Sequence, residues 1–210
     1  FLKKVINIHN TDELNYLYGN ILKIQNKYHE AIDLFKKAIS LNNKFSEAYN
    51  NLANTQKKIG DNENAKNNYI QAIKSNKSNF GAFFNLANLY RSEKKFEKAI
   101  DNYKKVLELN PQYVESMNNI GSINLILGNF ENGIKYFKEA IEIDKFNSES
   151  YYNYVSAKKI LENDEIFIKL KNLVEEEKSP EVQNFKIYYS LSKSYFDIDN
   201  KDLAFKYLEL

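Results

Sequence analysis

An all-α solenoid of stacked helix pairs is predicted by three observations on the 210-residue chain. One is a repeat: Ala31, Ala65 and Ala99 stand 34 residues apart, and Gly133 continues the series. Another is the spacing of apolar positions inside each repeat, which follows i, i+3, i+4, i+7 rather than strict alternation. The third is punctuation: six Gly and two Pro leave too few turn residues for a fold of many short strands. Further columns reinforce the period. Aromatics follow four residues on (Phe35, Tyr69, Tyr103, Phe137), then Ala38, Ala72, Val106 and Ala140. Gly19, Ala53, Ala87 and Gly121 precede the Ala31 series by a constant interval, each after Tyr18, Leu52, Leu86 or Ile120.

Units that begin at Asp12, Ser46, Phe80 and Val114 define the columns used below. Columns 4, 7, 8 and 11 share one face of a first helix (A), and columns 20, 24 and 27 one face of a second (B). Small residues at columns 8 and 20 let two backbones approach, and the aromatic at 24 fills the space beside them. Column 15 holds Asn26, Gly60, Lys94 and Gly128; Gly or Asn suits the left-handed residue that ends a helix. A fifth unit starts at Ser148 with apolar Tyr151, Tyr154 and Val155, but column 20 is Phe167. The set Leu191, Ser192, Tyr195, Ala204 and Leu208 places a sixth unit at Phe185, so unit five runs over 148–184 and carries a three-residue insertion. Phe cannot replace a small residue at a close helix contact, so this pair is expected to splay or shift register. Ser179-Pro180-Glu181 reads as a helix start, with Ser as cap and Pro in the first turn.

The expected organisation is therefore a B helix of a preceding unit over 1–11, units at 12–45, 46–79, 80–113 and 114–147, the atypical unit, and a last one at 185–210. Phe1 in place of Met, and an apolar-periodic stretch at Ala204–Leu210, lead to the expectation of a longer parent protein. Phe1, Val5, Leu203, Phe205 and Leu208 would then lie on faces that a neighbouring unit covers, and end-to-end self-association is expected.

These columns resemble the tetratricopeptide repeat (TPR), whose signature is W-x₂-L-G-x₂-Y…A-x₃-F…P. Leu86, Ala87, Tyr90, Ala99, Tyr103 and Pro111 carry the match in the third unit, with Phe83 at the Trp position. Column 32 is otherwise Asn43, Lys77 and Lys145. The resemblance implies a right-handed superhelix whose concave groove is lined by the A helices. A second resemblance lies in Leu170–Leu173, Ser179-Pro180-Glu181, Tyr189–Tyr195 and Asp202–Phe205. These are similar to the segment that joins TPR arrays to sulfotransferase domains in bacterial proteins, which implies that a transferase domain could follow in the parent chain.

Composition excludes several classes. Thirty Lys+Arg against 28 Asp+Glu give a net charge of +2, without the clustered cation that nucleic acid requires. No Cys means no disulfide, thiolate metal site or cysteine nucleophile. No apolar run approaches membrane-span length, and no signal peptide follows Phe1; a cytoplasmic location is expected. His9 falls in an inter-repeat turn and His29 beside a helix start, both read as solvated, and Glu175-Glu176-Glu177 reads as a solvated helix end. With no phosphate loop, HExxH or GxSxG, the expectation is a chain that is not an enzyme and holds no cofactor or metal.

Binding is the class that remains. Columns 6 and 9 face away from the predicted core stripe. Column 6 reads Leu17, Asn51, Asn85, Asn119, Asn153, Ser190, and column 9 reads Asn20, Asn54, Asn88, Ser122, Ser156, Lys193. Seven of these twelve are Asn, where 31 Asn in 210 residues predict fewer than two. The skew toward Asn and Lys that an AT-rich genome produces does not account for the ladder. An amide offers donor and acceptor together and can pair with the backbone of an extended peptide, and the resemblance implies the same, since the TPR array of O-GlcNAc transferase holds peptides in this way. The alternative is that the amides tie neighbouring helices together. Tyr16, Phe84 and Tyr152 of column 5 flank this face, either as apolar pockets or as packing between repeats. Glu13, Glu47, Glu115 and Glu149 in column 2, and Lys23, Lys57, Arg91 and Lys159 in column 12, edge it with opposite charges.

The carboxylate clamp of chaperone-binding TPR domains is missing its cations. The clamp positions hold Tyr16, Asn20, Asn51, Gly81 and Asn85, or one unit later Asn50, Asn54, Asn85, Glu115 and Asn119. A chaperone's C-terminal carboxylate is therefore not the expected partner. The expectation is a protein-interaction module for an extended peptide or protein segment, with the substrate-recognition region of a larger sulfotransferase or glycosyltransferase, and an oligomerising scaffold, as alternatives.

Overall fold

A computed structural model describes residues 10–176 and 184–209, which form twelve α-helices and no strand. Six helices lie in a first compact unit, Phe1–Asn110: α1 (Asp12–Ile24), α2 (Tyr28–Leu41), α3 (Ser46–Lys58), α4 (Asn62–Ser75), α5 (Phe80–Ser92) and α6 (Phe96–Leu109). The second unit, Pro111–Leu210, holds α7 (Val114–Ile126), α8 (Phe130–Ile143), α9 (Ser148–Ala157), α10 (Glu165–Glu176), α11 (Phe185–Asp197) and α12 (Lys201–Leu208). The half-unit at Phe1–Ile8, His9, Glu177 and the helix start at Ser179-Pro180-Glu181 lie outside the described residues. In the first unit every helix packs on the next, and the A helices α1, α3 and α5 also touch one another in turn.

The A-to-B turn is built the same way five times. Asn26, Gly60, Lys94, Gly128 and Asp199 all have φ between 57° and 84°. The next N–H then returns to a carbonyl five residues back: Lys27 to Leu22, Asp61 to Gln56 and Lys95 to Tyr90 at 2.9 Å, and Asn129 to Asn124 at 2.8 Å. This six-to-one closure satisfies carbonyls that the helix end would orphan, and it requires a left-handed residue at column 15. Several helix starts are held by a short polar side chain at the cap. The Asn79 Oδ1 accepts from the Ala82 N–H and the Asn147 Oδ1 from the Ser150 N–H, both at 3.0 Å.

Columns 20 and 24 bury as expected: Ala31, Ala65, Ala99, Phe35, Tyr69, Tyr103 and Phe137 have no exposed surface. The A-helix stripe is wider than columns 4, 7, 8 and 11. Ala48, Ala82, Ser116, Ser150 and Ile187 of column 3 and Thr55, Leu89, Ile123 and Ser194 of column 10 are fully buried, whereas Tyr49 and Phe83 of column 4 are half-buried. Elsewhere in columns 3 and 10, Leu14 and Ala157 are half-buried and Ile21 is exposed. The reason is geometric. An A helix such as α3 packs on α2, on α4 and on the A helices beside it, so burial wraps further round it than one partner would require.

The fifth pair departs from this plan. α9 has 10 residues where α7 has 13. Its backbone packs on α8 and α11 and makes no comparable approach to α10. Phe167 is fully buried, edge-on to Tyr195 at 5.2 Å between centroids. The segment between α9 and α10 is tied down by Asp164, which is nearly buried. Its Oδ1 accepts from the Ile166 and Phe167 N–H groups at 3.0 and 3.2 Å, and Lys158 Nζ lies 2.8 Å from its Oδ2. Burial pushes this carboxyl up, but the Lys158 ammonium and the Phe167 N–H outweigh it and hold the group below the usual carboxylate range. Near the end of the chain Phe205 and Leu208 are exposed and Leu203 is half-buried.

Candidate functional site

The asparagine rows of α1, α3 and α5 fall into two sets with different bonding. Column 6 is engaged between helices. Asn51 Nδ2 donates to Asn20 Oδ1 and to the Tyr16 hydroxyl, both at 2.9 Å, while Lys23 Nζ donates to Asn51 Oδ1 at 3.2 Å. One repeat later Asn85 Nδ2 donates to Asn50 Oδ1 at 3.0 Å. Each of these amides therefore ties an A helix to the one before it.

Column 9 is bonded on its oxygen side only. The Tyr69 hydroxyl donates to Asn54 Oδ1 at 2.7 Å, and the Tyr103 hydroxyl to Asn88 Oδ1 at 2.6 Å. Both rings are fully buried, and a buried phenol needs an acceptor. Burial pushes the Tyr103 phenol up to about 12, against a small opposing effect of Arg91, and raises Tyr69 as well. Asn20 Oδ1 is taken by Asn51. The result is three half-buried amides in a row, each with its oxygen accepting one hydrogen bond and its NH₂ group without a partner among the described residues.

The column 5 aromatics pack between helices. Tyr16 lies 4.9 Å from Phe45 and 6.0 Å from Phe35, and Phe84 lies 5.7 Å from Tyr103, centroid to centroid. In the second unit Tyr152 sits 5.2 Å from Tyr189, with Lys186 Nζ 5.9 Å from its centroid. Asn119 and Asn153 are half-buried there. Asn118, nearly buried, donates to Ser150 Oγ at 2.9 Å. His29 is exposed on α2.

The basic row in the first unit borders a cleft of about 740 Å³ whose lining includes Lys23, Lys57, Lys58, Asn54, Tyr28 and Asn26. Burial pulls the Lys23 ammonium below the usual lysine range; for Lys57 burial does the same, with the Arg91 and Lys58 charges adding to it. Glu13 and Glu47 are exposed near the opposite ends of α1 and α3. Sequence reasoning missed the two tyrosine hydroxyls and hence the polarity of column 9. The signal was present: Tyr stands at column 24 only where column 8 is Ala and column 9 is Asn, as in Ala53-Asn54 with Tyr69 and Ala87-Asn88 with Tyr103.

Tetratricopeptide-repeat models match residues 19–60, 46–79, 81–113 and 114–147, together more than half of the chain. No curated protein matches it. Among solved structures, MamA is 26% identical with a TM-score of 0.65, over 69% of this chain and 85% of that one. YrrB, described as a TPR protein with an unusual peptide-binding site, is 18% identical with a TM-score of 0.66, over 100% and 98%. The first TPR of Spaghetti (RPAP3), bound to the HSP90 peptide SRMEEVD, is 26% identical with a TM-score of 0.54, over 56% of this chain and 93% of its own. No helix among the described residues is long and apolar enough to cross a membrane. The repeating helix pairs and the extent of the model matches agree, and the chain belongs to the tetratricopeptide-repeat family.

Proposed function

We propose that the chain is a protein-interaction module that takes an extended peptide across α1, α3 and α5, with Asn20, Asn54 and Asn88 donating to the peptide's carbonyl oxygens. The observation that carries this reading is the one-sided bonding of column 9 in the first unit: three adjacent amides present donors with no partner among the described residues. An extended segment supplies acceptors at regular intervals, so main-chain hydrogen bonds provide affinity without demanding a particular side chain. The Spaghetti complex with an HSP90 peptide and the description of YrrB support a peptide as the ligand. Asn51 and Asn85 act in this reading as struts that space the helices. Asn119, Asn153 and Tyr152 are candidates for the corresponding role within the second unit taken by itself. The module itself carries out no reaction.

The test is the pair Asn54→Asp and Asn88→Asp. A carboxylate still accepts from Tyr69 and Tyr103 but has no NH₂ to offer. Each lost hydrogen bond is worth about 0.5–1.5 kcal/mol, so the double variant should bind array-selected peptides roughly tenfold to hundredfold more weakly at an unchanged melting temperature. A lowered melting temperature with unaltered affinity in the folded fraction would mean that column 9 is structural.

A further inference from the structure

We infer that the peptide taken by this face is acidic, its side-chain carboxylates meeting the cations of column 12; this rests on the peptide-binding reading above. The groups that border the cleft at Lys23, Lys57 and Lys58 include amides and a phenol, and no acidic side chain among the described residues. Lys23 bonds to the neutral Asn51 oxygen, and among the described residues neither Lys23 nor Lys57 has an anionic partner. Arg91 adds a third positive charge close enough to act on Lys57. Acidic partners exist elsewhere on the same unit, where Lys66 pairs with Glu63 and Lys95 with Glu93. The acidic Glu13 and Glu47 stand near the far ends of the same helices and are not spent on neutralising this row.

The column 9 donors border the same cleft through Asn54, so the surface offers donors and positive charge together. Such a lining selects a ligand rich in acceptors and carrying negative charge. Spacing sharpens the choice. Packed helices lie about 8–10 Å apart, and an extended chain rises about 3.3 Å per residue. One cation per A helix therefore meets about every third residue of the peptide. Glu13 and Glu47, on the other edge, oppose the reverse placement by like-charge repulsion.

Fluorescence anisotropy on the full chain decides this with three labelled, C-terminally amidated peptides: Glu at every third position, its Gln counterpart and its Lys counterpart. Amidation removes the terminal carboxylate as a competing explanation. The Glu peptide should bind about five- to tenfold more tightly than the Gln peptide at about 50 mM salt, and the difference should shrink below about twofold near 500 mM. Lys57→Gln with Lys58→Gln, at exposed positions that leave the Lys23–Asn51 bond intact, should cut the Glu-over-Gln preference by about half or more. Lys57→Glu should shift preference toward the Lys peptide. Equal affinity for Glu and Gln peptides, or a preference that survives both variants, overturns the inference and leaves the groove standing. If none of the three binds, the groove reading fails with it.

Discussion

Two kinds of helix pair share the same 34-residue plan. In α1–α2 and α7–α8 a phenylalanine seats against a glycine. A Cβ on Gly19 would lie 2.7 Å from Phe35 Cε1, and one on Gly121 2.5 Å from Phe137 Cε1, closer than packed atoms approach. In α3–α4 and α5–α6 column 8 is Ala53 or Ala87, and the ring is Tyr69 or Tyr103 with its hydroxyl on Asn54 or Asn88. The difference teaches that one methyl group decides two things. Where it is absent, the ring sinks onto the A-helix backbone and has no polar tip to satisfy. Where it is present, the phenol hydroxyl reaches column 9 and fixes which end of the surface amide faces outward.

The strongest way to break this comparison is Gly121→Ala. Overpacking against Phe137 should cost about 1–3 kcal/mol, read as a lowered midpoint in urea. Gly19→Ala should behave alike, but Gly19→Ala with Phe35→Tyr converts the first pair into the other kind. Asn20 already occupies column 9, and its amide oxygen has a second lone pair, so the double variant should recover most of the loss. The same conversion at Gly121 and Phe137 should recover less, because Ser122 stands there instead.

Alkaline titration separates the two kinds next. The unfolded chain releases a phenol proton near pH 10, whereas folded Tyr103 holds it to about pH 12. The folded state thus binds the extra proton between these values. Stability is complete below pH 10 and falls by about 1.4 kcal/mol per pH unit per tyrosine as pH rises through that window. Melting curves of Tyr69→Phe with Tyr103→Phe should flatten over this range relative to the unaltered chain. Unchanged slopes would mean that neither phenol is held protonated by burial.

The smallest effect is at neutral pH. Tyr103→Phe alone should cost about 0.5–1.5 kcal/mol, the net value of one hydrogen bond, because the half-buried Asn88 amide can turn to solvent. A larger loss would show that the hydroxyl supports more than this bond.

The fifth pair shows where reading columns runs out. The sequence flags Phe167 at column 20 and the inserted residues, and from these a disturbed pair follows. It does not say that α9 stops at Ala157, or that α9 takes α11 rather than α10 as its backbone neighbour. Nor does it reveal that Asp164, unremarkable in the sequence, accepts the first N–H groups of α10 while paired with Lys158. These depend on which chain segments meet once a bulky ring has displaced a helix, and no local pattern encodes that.

Fold class, helix pairing, the left-handed turn at column 15 and the buried Ala and aromatic columns were determined by the sequence itself, because each is a local or strictly periodic demand on residue type. The asparagine rows were equally visible as rows. Only the tertiary structure divided them into amides whose NH₂ group is bonded across a helix contact and amides bonded through the oxygen alone. An amide is symmetric in size, so its role depends on what its oxygen and nitrogen find across the helix contact: Asn20 and Asn50 for column 6, buried phenols for Asn54 and Asn88. Burial at columns 3 and 10 was likewise set by the number of helices packed round each A helix, a property of the stack that one amphipathic stripe does not carry.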